Sequence, residues 1–346
     1  MSGGVDSSVA AWLLQNDGLE VAGVTFLLGP PPPAPPEPQP PGAFPHLRAS
    51  EVCSRLGVPH QVIDLRELFH ARVISPFCRE YAAGQTPNPC VVCNAQVKWS
   101  SLLKAADRAG CGYVATGHYA RVDPTTAGFR LLRALDGCKD QSYALYRLNQ
   151  QALARTLLPL GNWEKTRVRS LATQACLPTR DTPDSQDICF LPRGGLRAFL
   201  SGHVALEPGP VLDPQGRRVG THAGLAFYTV GQRKGLGIPL GRPVYVIEKR
   251  PATNTLVVGP REALGLRSVE VRDVHWTSVS PPAPGTILTA QVELRYRSTP
   301  LTAEVHVLDG GAVRIHLPDH RQAVAPGQSA VWYQGEILLG GGFIEG

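Results

Sequence analysis

Ser2-Gly3-Gly4-Val5-Asp6-Ser7-Ser8, at the start of the chain, runs straight into a helical pattern over Ser8–Gln15. Paired glycines let a backbone pass close to an anion. Hydroxyls at a helix start lie where unpaired N–H groups and the helix dipole favour phosphate. Asp6 is a hard oxygen ligand, suited to Mg²⁺ on such a phosphate. The spacing is not G-x-x-x-x-G-K-[ST] and no lysine follows, so a kinase-type Walker loop is excluded. Two readings are open, an anion cradle or a Ser-Gly turn that only caps a helix.

A phosphate loop normally follows a strand of a parallel sheet, and the pattern downstream agrees with that fold. Val21–Leu28 and Val114–Ala115, the latter just before Thr116-Gly117, read as buried strands. Ser7–Gln15 and Trp99–Ala109 read as helices. Strands alternating with helices imply an α/β unit whose parallel sheet is covered on both faces. No strand precedes the loop here, so the first strand of the sheet is expected to be missing and Met1, the single methionine, to be an internal residue of a longer frame.

At 346 residues and 43% hydrophobic, the chain has enough material for two or three domains. Residues 1–195 carry the α/β pattern. Residues 196–262 are rich in Gly, Pro and Arg, with short elements. Within 263–346, alternating strands at Val269–Val274, Ile287–Tyr296, Thr302–Leu308, Ala312–Leu317 and Ser329–Tyr333 indicate a small β-barrel or sandwich. From Gly29 to Pro45 ten of seventeen residues are proline. That stretch is expected to be extended and exposed, and it reads as a surface insertion rather than an SH3-type ligand.

No run of 18 apolar residues occurs, and the opening residues lack a charged region followed by an apolar one. Neither membrane insertion nor export is expected, and the default compartment is the bacterial cytoplasm. Eight cysteines in a reducing compartment are metal, redox, catalytic or core residues rather than a disulfide framework. A net charge of +6 favours an anionic partner, with nucleic acid the first choice.

Two cysteine sites stand out. Thr86-Pro87-Asn88-Pro89-Cys90-Val91-Val92-Cys93-Asn94 places a CxxC on a proline-stiffened loop, and the second is Asp184-Ser185-Gln186-Asp187-Ile188-Cys189-Phe190. The CxxC has three readings: half a zinc site, a redox pair, or a nucleophile with a neighbour. No second CxxC or HxxxH is present to complete a zinc site. By local sequence alone Cys189, between Ile188 and Phe190, reads as a core thiol rather than a reactive one.

The Ser-Gly-Gly-x-Asp-Ser loop resembles that of the PP-loop ATP pyrophosphatases, which cleave ATP between the α and β phosphates and adenylate a carbonyl oxygen. TPNPCVVCN at 86–94, Lys98, ATGHYA at 115–120, KDQSY at 139–143, Asp187 to Phe190, YTVGQRKGLGI at 228–238, RYR at 295–297 and PGQSAVWY at 326–333 follow in one order. In that order and spacing the chain is similar, over nearly its whole length, to the MnmA-type tRNA 2-thiouridylases of that family. These replace the C2 oxygen of wobble uridine 34 with sulfur. The resemblance implies an α/β catalytic domain, a small central domain and a C-terminal β-barrel.

It also implies roles. Cys189 carries sulfur as a persulfide, and Cys93 attacks it to release sulfur, leaving a Cys93–Cys189 disulfide. Ser2, Gly3, Gly4, Val5, Asp6, Ser7 and Gly117 contact ATP, with Mg²⁺ at Asp6. Phe26 stands where the family typically has a methionine against the adenine, so an aromatic would stack there. Asn88, Pro89 and Cys90 face the flipped base. His118, Lys139, Asp140, Gln141, Arg295, Tyr296 and Gln328 touch tRNA, where local sequence alone reads His118 as a strand-end cap and Arg295–Arg297 as a solvated strand face. Arg233 and Lys234 form a basic loop suited to backbone phosphates.

The implied partners are the Glu, Gln and Lys tRNAs and a persulfide donor, either a cysteine desulfurase or a sulfur relay protein. The chain is expected to be a monomer. The proline-rich stretch replaces a more acidic loop, so nothing from that loop carries over. Cys90 stands where some relatives have aspartate. With cysteine there, Cys90, Cys93 and Cys189 are also candidates to hold an iron–sulfur cluster. Two other functions compete, a PP-loop synthetase acting on a small molecule and a tRNA-binding protein with a degenerate ATP site.

Overall fold

The structure, a computed structural model, describes residues 1–29, 45–184, 188–192, 194–238, 243–318 and 323–345. Most of the proline-rich stretch and Ser185, Gln186 and Asp187 of the second cysteine motif fall outside the described residues. The α/β part contains strands β1 (Gly23–Leu27), β2 (His60–Asp64) and β3 (Val114–Ala115), the hairpin β4 (Arg121–Thr125) and β5 (Gly128–Leu132), and β6 (Thr156–Leu157). The parallel sheet is present as two pairs, β1 with β2 and β3 with β6. Between them runs the phosphate loop. Met1 lies along β1, where its carbonyl accepts from Thr25 Oγ1 at 2.8 Å, and Gly117, two residues after β3, packs on Asp6 and Ser7.

The middle part is a four-stranded sheet of β7 (Gly209–Leu212), β8 (Arg218–His222), β9 (Tyr245–Arg250) and β10 (Thr255–Gly259), in the order β8-β7-β10-β9. The C-terminal part contains β11 (Ser268–Trp276), β12 (Ile287–Glu293), β13 (Leu301–Val307), β14 (Val313–His316), β15 (Ser329–Gln334) and β16 (Ile337–Ile344). The order β11-β14-β13-β12-β15-β16, with β16 pairing back to β11, closes a six-stranded barrel. Val271, Val292, Val305, Ile315 and Trp332 fill it.

One sequence expectation needs correction here, and one strand is added. The expected strand Ile287–Tyr296 stops at Glu293, and Arg295 and Tyr296 stand in the turn beyond it, where Arg297 has φ +58°. The closing strand β16 was not foreseen, because Gly340-Gly341-Gly342 reads as a turn. Neighbours press close on those glycines: a Cβ on Gly340 would lie 2.5 Å from His275 O and one on Gly342 2.6 Å from Arg272 O.

The barrel is not a separate bead. Strand β5 extends its sheet through Ile337↔Leu132 and Leu338↔Leu131. Val331, Tyr333 and Leu338 share a core with Trp99, Tyr143, Tyr146 and Leu148 of the α/β part. Across the seam the buried Glu293 carboxylate pairs with Arg133 at 2.6 Å. Among the described residues no helix is long and apolar enough to cross a membrane.

Candidate active site

The first helix begins earlier than the pattern suggested. It spans Val5–Asn16 with Gly4 as its cap, so Asp6 and Ser7 lie in its first turn. Ser7 Oγ accepts the Ser2 backbone N–H at 3.1 Å and lies 3.0 Å from Ser2 Oγ, which draws the loop into a cup. Gly117 leans against its back. A Cβ there would come within 2.7 Å of Asp6 C and Ser7 N, so no other residue fits without moving the loop. Phe26, half-buried, sits on β1 opposite Ile63.

Asp6 is the centre of a charged network. It accepts from Tyr119 Oη at 2.9 Å and from Lys165 Nζ at 2.6 and 2.8 Å. Lys165 also reaches Asp184 at 3.0 Å, and Asp184 is held further by Lys139 at 2.8 Å and by Arg169. Burial works against ionisation of Asp184, but hydrogen bonds from Lys139 and Lys165 outweigh it and hold the carboxyl well below the usual range. Burial, then the Asp6 charge, pushes Tyr119 far up, so its phenol stays protonated. As a hard carboxylate at a phosphate loop, Asp6 suits Mg²⁺, which takes one or two protein carboxylates plus phosphate oxygens.

The cysteines form a different environment. The CxxC lies on a helix rather than the expected loop. Asn88 is extended, and Pro89 starts the helix Pro89–Val92 with its φ already suited. A π-helical run Cys93–Trp99 and the helix Ser100–Arg108 continue it. Such π segments are frequent at functional sites. Cys93 is buried in an apolar cluster with Phe69, Phe77, Tyr81 and Val97, against which Ile188 and Phe190 also pack. The Phe190 ring centroid is 5.2 Å from that of Phe77 and 5.3 Å from that of Phe199.

Cys189, between those two anchors, is exposed, as is Cys90. The core-thiol alternative for Cys189 therefore fails, since its neighbours carry the packing and leave the thiol outside. Burial pushes the Cys93 thiol up to about 11. Lys98 pulls it back, and negative charge on Cys189 or Cys90 would raise it. The structure thus brings Cys90, Cys93, Cys189 and Lys98 into one electrostatic neighbourhood. The iron–sulfur alternative is not met. Among the described residues no group of three or more His, Cys, Asp or Glu is placed to hold a metal.

His118 completes the link between the two centres. Its Nδ1 is 2.9 Å from Thr116 Oγ1 and its ring packs on Trp99. Burial, then Lys98, pushes it down to about 3, so it is neutral at physiological pH.

The other expected contact residues gather at the seam with the barrel. Asp140 accepts from Ala134 N and Ser142 Oγ, and Gln141 Oε1 from Tyr119 N. Tyr296 Oη donates to Asp140 O at 3.3 Å. Gln328 Nε2 donates to Thr86 O and Thr86 N to Pro326 O, which fastens the loop before Asn88 to the barrel. Arg295, Arg233 and Lys234 are exposed. Lys165, Asp184, Tyr119 and Arg169 were missed as site residues. The one available signal was Lys165 itself, a cation opening a helix where the dipole favours anions.

Comparison with known proteins places this arrangement. Three family models match in sequence: a tRNA methyl transferase HUP domain over residues 1–193, a tRNA methyl transferase PRC-barrel domain over 197–260, and an aminomethyltransferase beta-barrel domain over 266–344. The tRNA-specific 2-thiouridylase MnmA of Nostoc punctiforme is 43% identical over 100% of this chain and 97% of its own length. That of Chloroflexus aggregans is 44% identical over 99% and 96%. The chain belongs to the tRNA-specific 2-thiouridylase family. In this 2-thiouridylase-family member the HUP domain carries the phosphate loop and both cysteine sites, the middle domain is the β7–β10 sheet, and the third domain is the closed barrel.

Proposed function

We propose that this protein is an ATP-dependent tRNA sulfurtransferase that installs 2-thiouridine at wobble position 34. The family's relatives are tRNA-modifying enzymes by name. The observation that carries the finer reading is the union, in one domain, of a phosphate cup at Ser2–Ser7 and a buried Cys93 beside an exposed Cys189. Methyl transfer, which two of the family descriptions name, calls for neither.

A uracil C2 oxygen is a poor leaving group. Adenylation turns it into a phosphate ester, with pyrophosphate departing from the loop, where backbone N–H groups favour anions. Mg²⁺ held by Asp6 would neutralise phosphate charge. Sulfur arrives on Cys189 as a persulfide supplied by a donor protein. The Cys93 thiolate attacks Cys189 Sγ, a Cys93–Cys189 disulfide forms, and hydrosulfide leaves. Hydrosulfide adds at C2, AMP departs, and an external reductant restores both thiols. Asn88, Pro89 and Cys90 would face the base, and the seam residues His118, Lys139, Tyr296, Arg295 and Gln328 the tRNA. The enzyme works in the cytoplasm as a monomer on the Glu, Gln and Lys tRNAs.

The test is in vitro thiolation of unmodified tRNA-Glu with Mg-ATP and a radiolabelled persulfide donor, followed by nucleoside separation. Label in 2-thiouridine is expected. ATP-independent labelling, or none with a competent donor, overturns the reading.

A further inference from the structure

Lys165 opens the helix Lys165–Gln174 and is only 8% exposed. A helix start is an unfavourable place for a cation, and a buried ammonium is costly unless negative groups meet it. Two do: Asp6, inside the phosphate cup, and Asp184, beside it. Asp184, however, is already met by Lys139 and Arg169. Three cations therefore surround two carboxylates at the mouth of the cup, more positive charge than these two carboxylates need. Tyr119 supplies Asp6 with another donor, so Asp6 keeps a partner if Lys165 turns away.

We propose that Lys165 is a phosphate-binding residue of this loop, its ammonium leaving Asp6 for the β and γ phosphates when ATP enters. The proposal rests on the reading of the loop as an ATP site. The ammonium already lies within 3 Å of a cup residue, and a flexible four-carbon stem covers the remaining distance. Asp184, held in place by Lys139 and Arg169, keeps the ammonium at the mouth between turnovers. The exchange also frees Asp6 oxygens as the nucleotide arrives. AMP, which lacks the outer phosphates, leaves Lys165 where it is.

That difference is the test. Affinities of the full-length protein for ATP and AMP are measured calorimetrically at one fixed magnesium concentration, for wild type and Lys165→Met. A charge-assisted contact to phosphate is worth about 10- to 100-fold in affinity. Lys165→Met is expected to lose that much for ATP and less than about 3-fold for AMP. Equal losses for the two nucleotides, or no loss for ATP, overturn the proposal. If Lys165→Met does not melt cooperatively, Lys165→Gln, which keeps a polar donor beside Asp6 and Asp184 without the charge, carries the same comparison. Wild-type protein that binds no ATP overturns the reading of the loop, and the proposal with it.

Discussion

Asp6 takes three hydrogen bonds of 2.6–2.9 Å, whereas Cys93, in the same domain, sits among Phe69, Phe77, Tyr81 and Val97 with Lys98 as the cation acting on its thiol. The nucleotide end holds its charges in advance, each already paired, so a triphosphate meets groups that need only exchange partners. The cysteine end holds Cys93 as an uncharged thiol, which the proposed attack would have to ionise during turnover. A pre-paired site loses binding when a pair is broken. An apolar site loses rate when its one source of positive potential goes.

The contrast breaks most completely at Cys189. Cys189→Ser is expected to reduce tRNA thiolation to background while the melting temperature stays within about 2 °C, because an exposed thiol contributes little packing. A large fall in melting temperature would place Cys189 among the structural residues. Next comes Gly117→Ala. The added carbon meets loop backbone at 2.7 Å, so ATP affinity should fall by about tenfold or more and the melting temperature by roughly 4 °C. Normal ATP affinity in that variant would show that the cup tolerates displacement. The smallest effect belongs to Lys98→Met. With the thiol pushed up to about 11, only about a thousandth of Cys93 is thiolate near pH 8, and the fraction rises with pH. Single-turnover sulfur transfer should rise with pH through that range in wild type. Lys98→Met should slow it by about tenfold at pH 8 and move the profile to higher pH. A profile of unchanged position would leave Lys98 without a part in activating Cys93.

Features carried by local chemistry were legible in the sequence. Gly3-Gly4 with Asp6 and Ser7 announced the cup, and the alternating strands announced the barrel. What stayed hidden was long-range or depended on context. Lys165 meets Asp6 across 159 residues, and nothing near either residue says so. Strand β16 is written in glycine because β11 crowds it, so its composition imitates a loop. Cys189 looked like a core residue because Ile188 and Phe190 beside it pack on the core, but the turn Ile188–Leu191 leaves its thiol outside. The CxxC was expected on a loop because two prolines precede it, yet the second, Pro89, is a helix initiator.

Thr86 is tied to the barrel through Pro326 and Gln328, and β5 pairs with β16 near the end of the chain. The consequence is one of timing. During synthesis the α/β part leaves the ribosome before its fastening partners exist, so the loop leading to Cys93 is tied only once Pro326 and Gln328 have emerged. The anchorage of the segment that carries Cys93 is thereby a late event, made by residues of another domain.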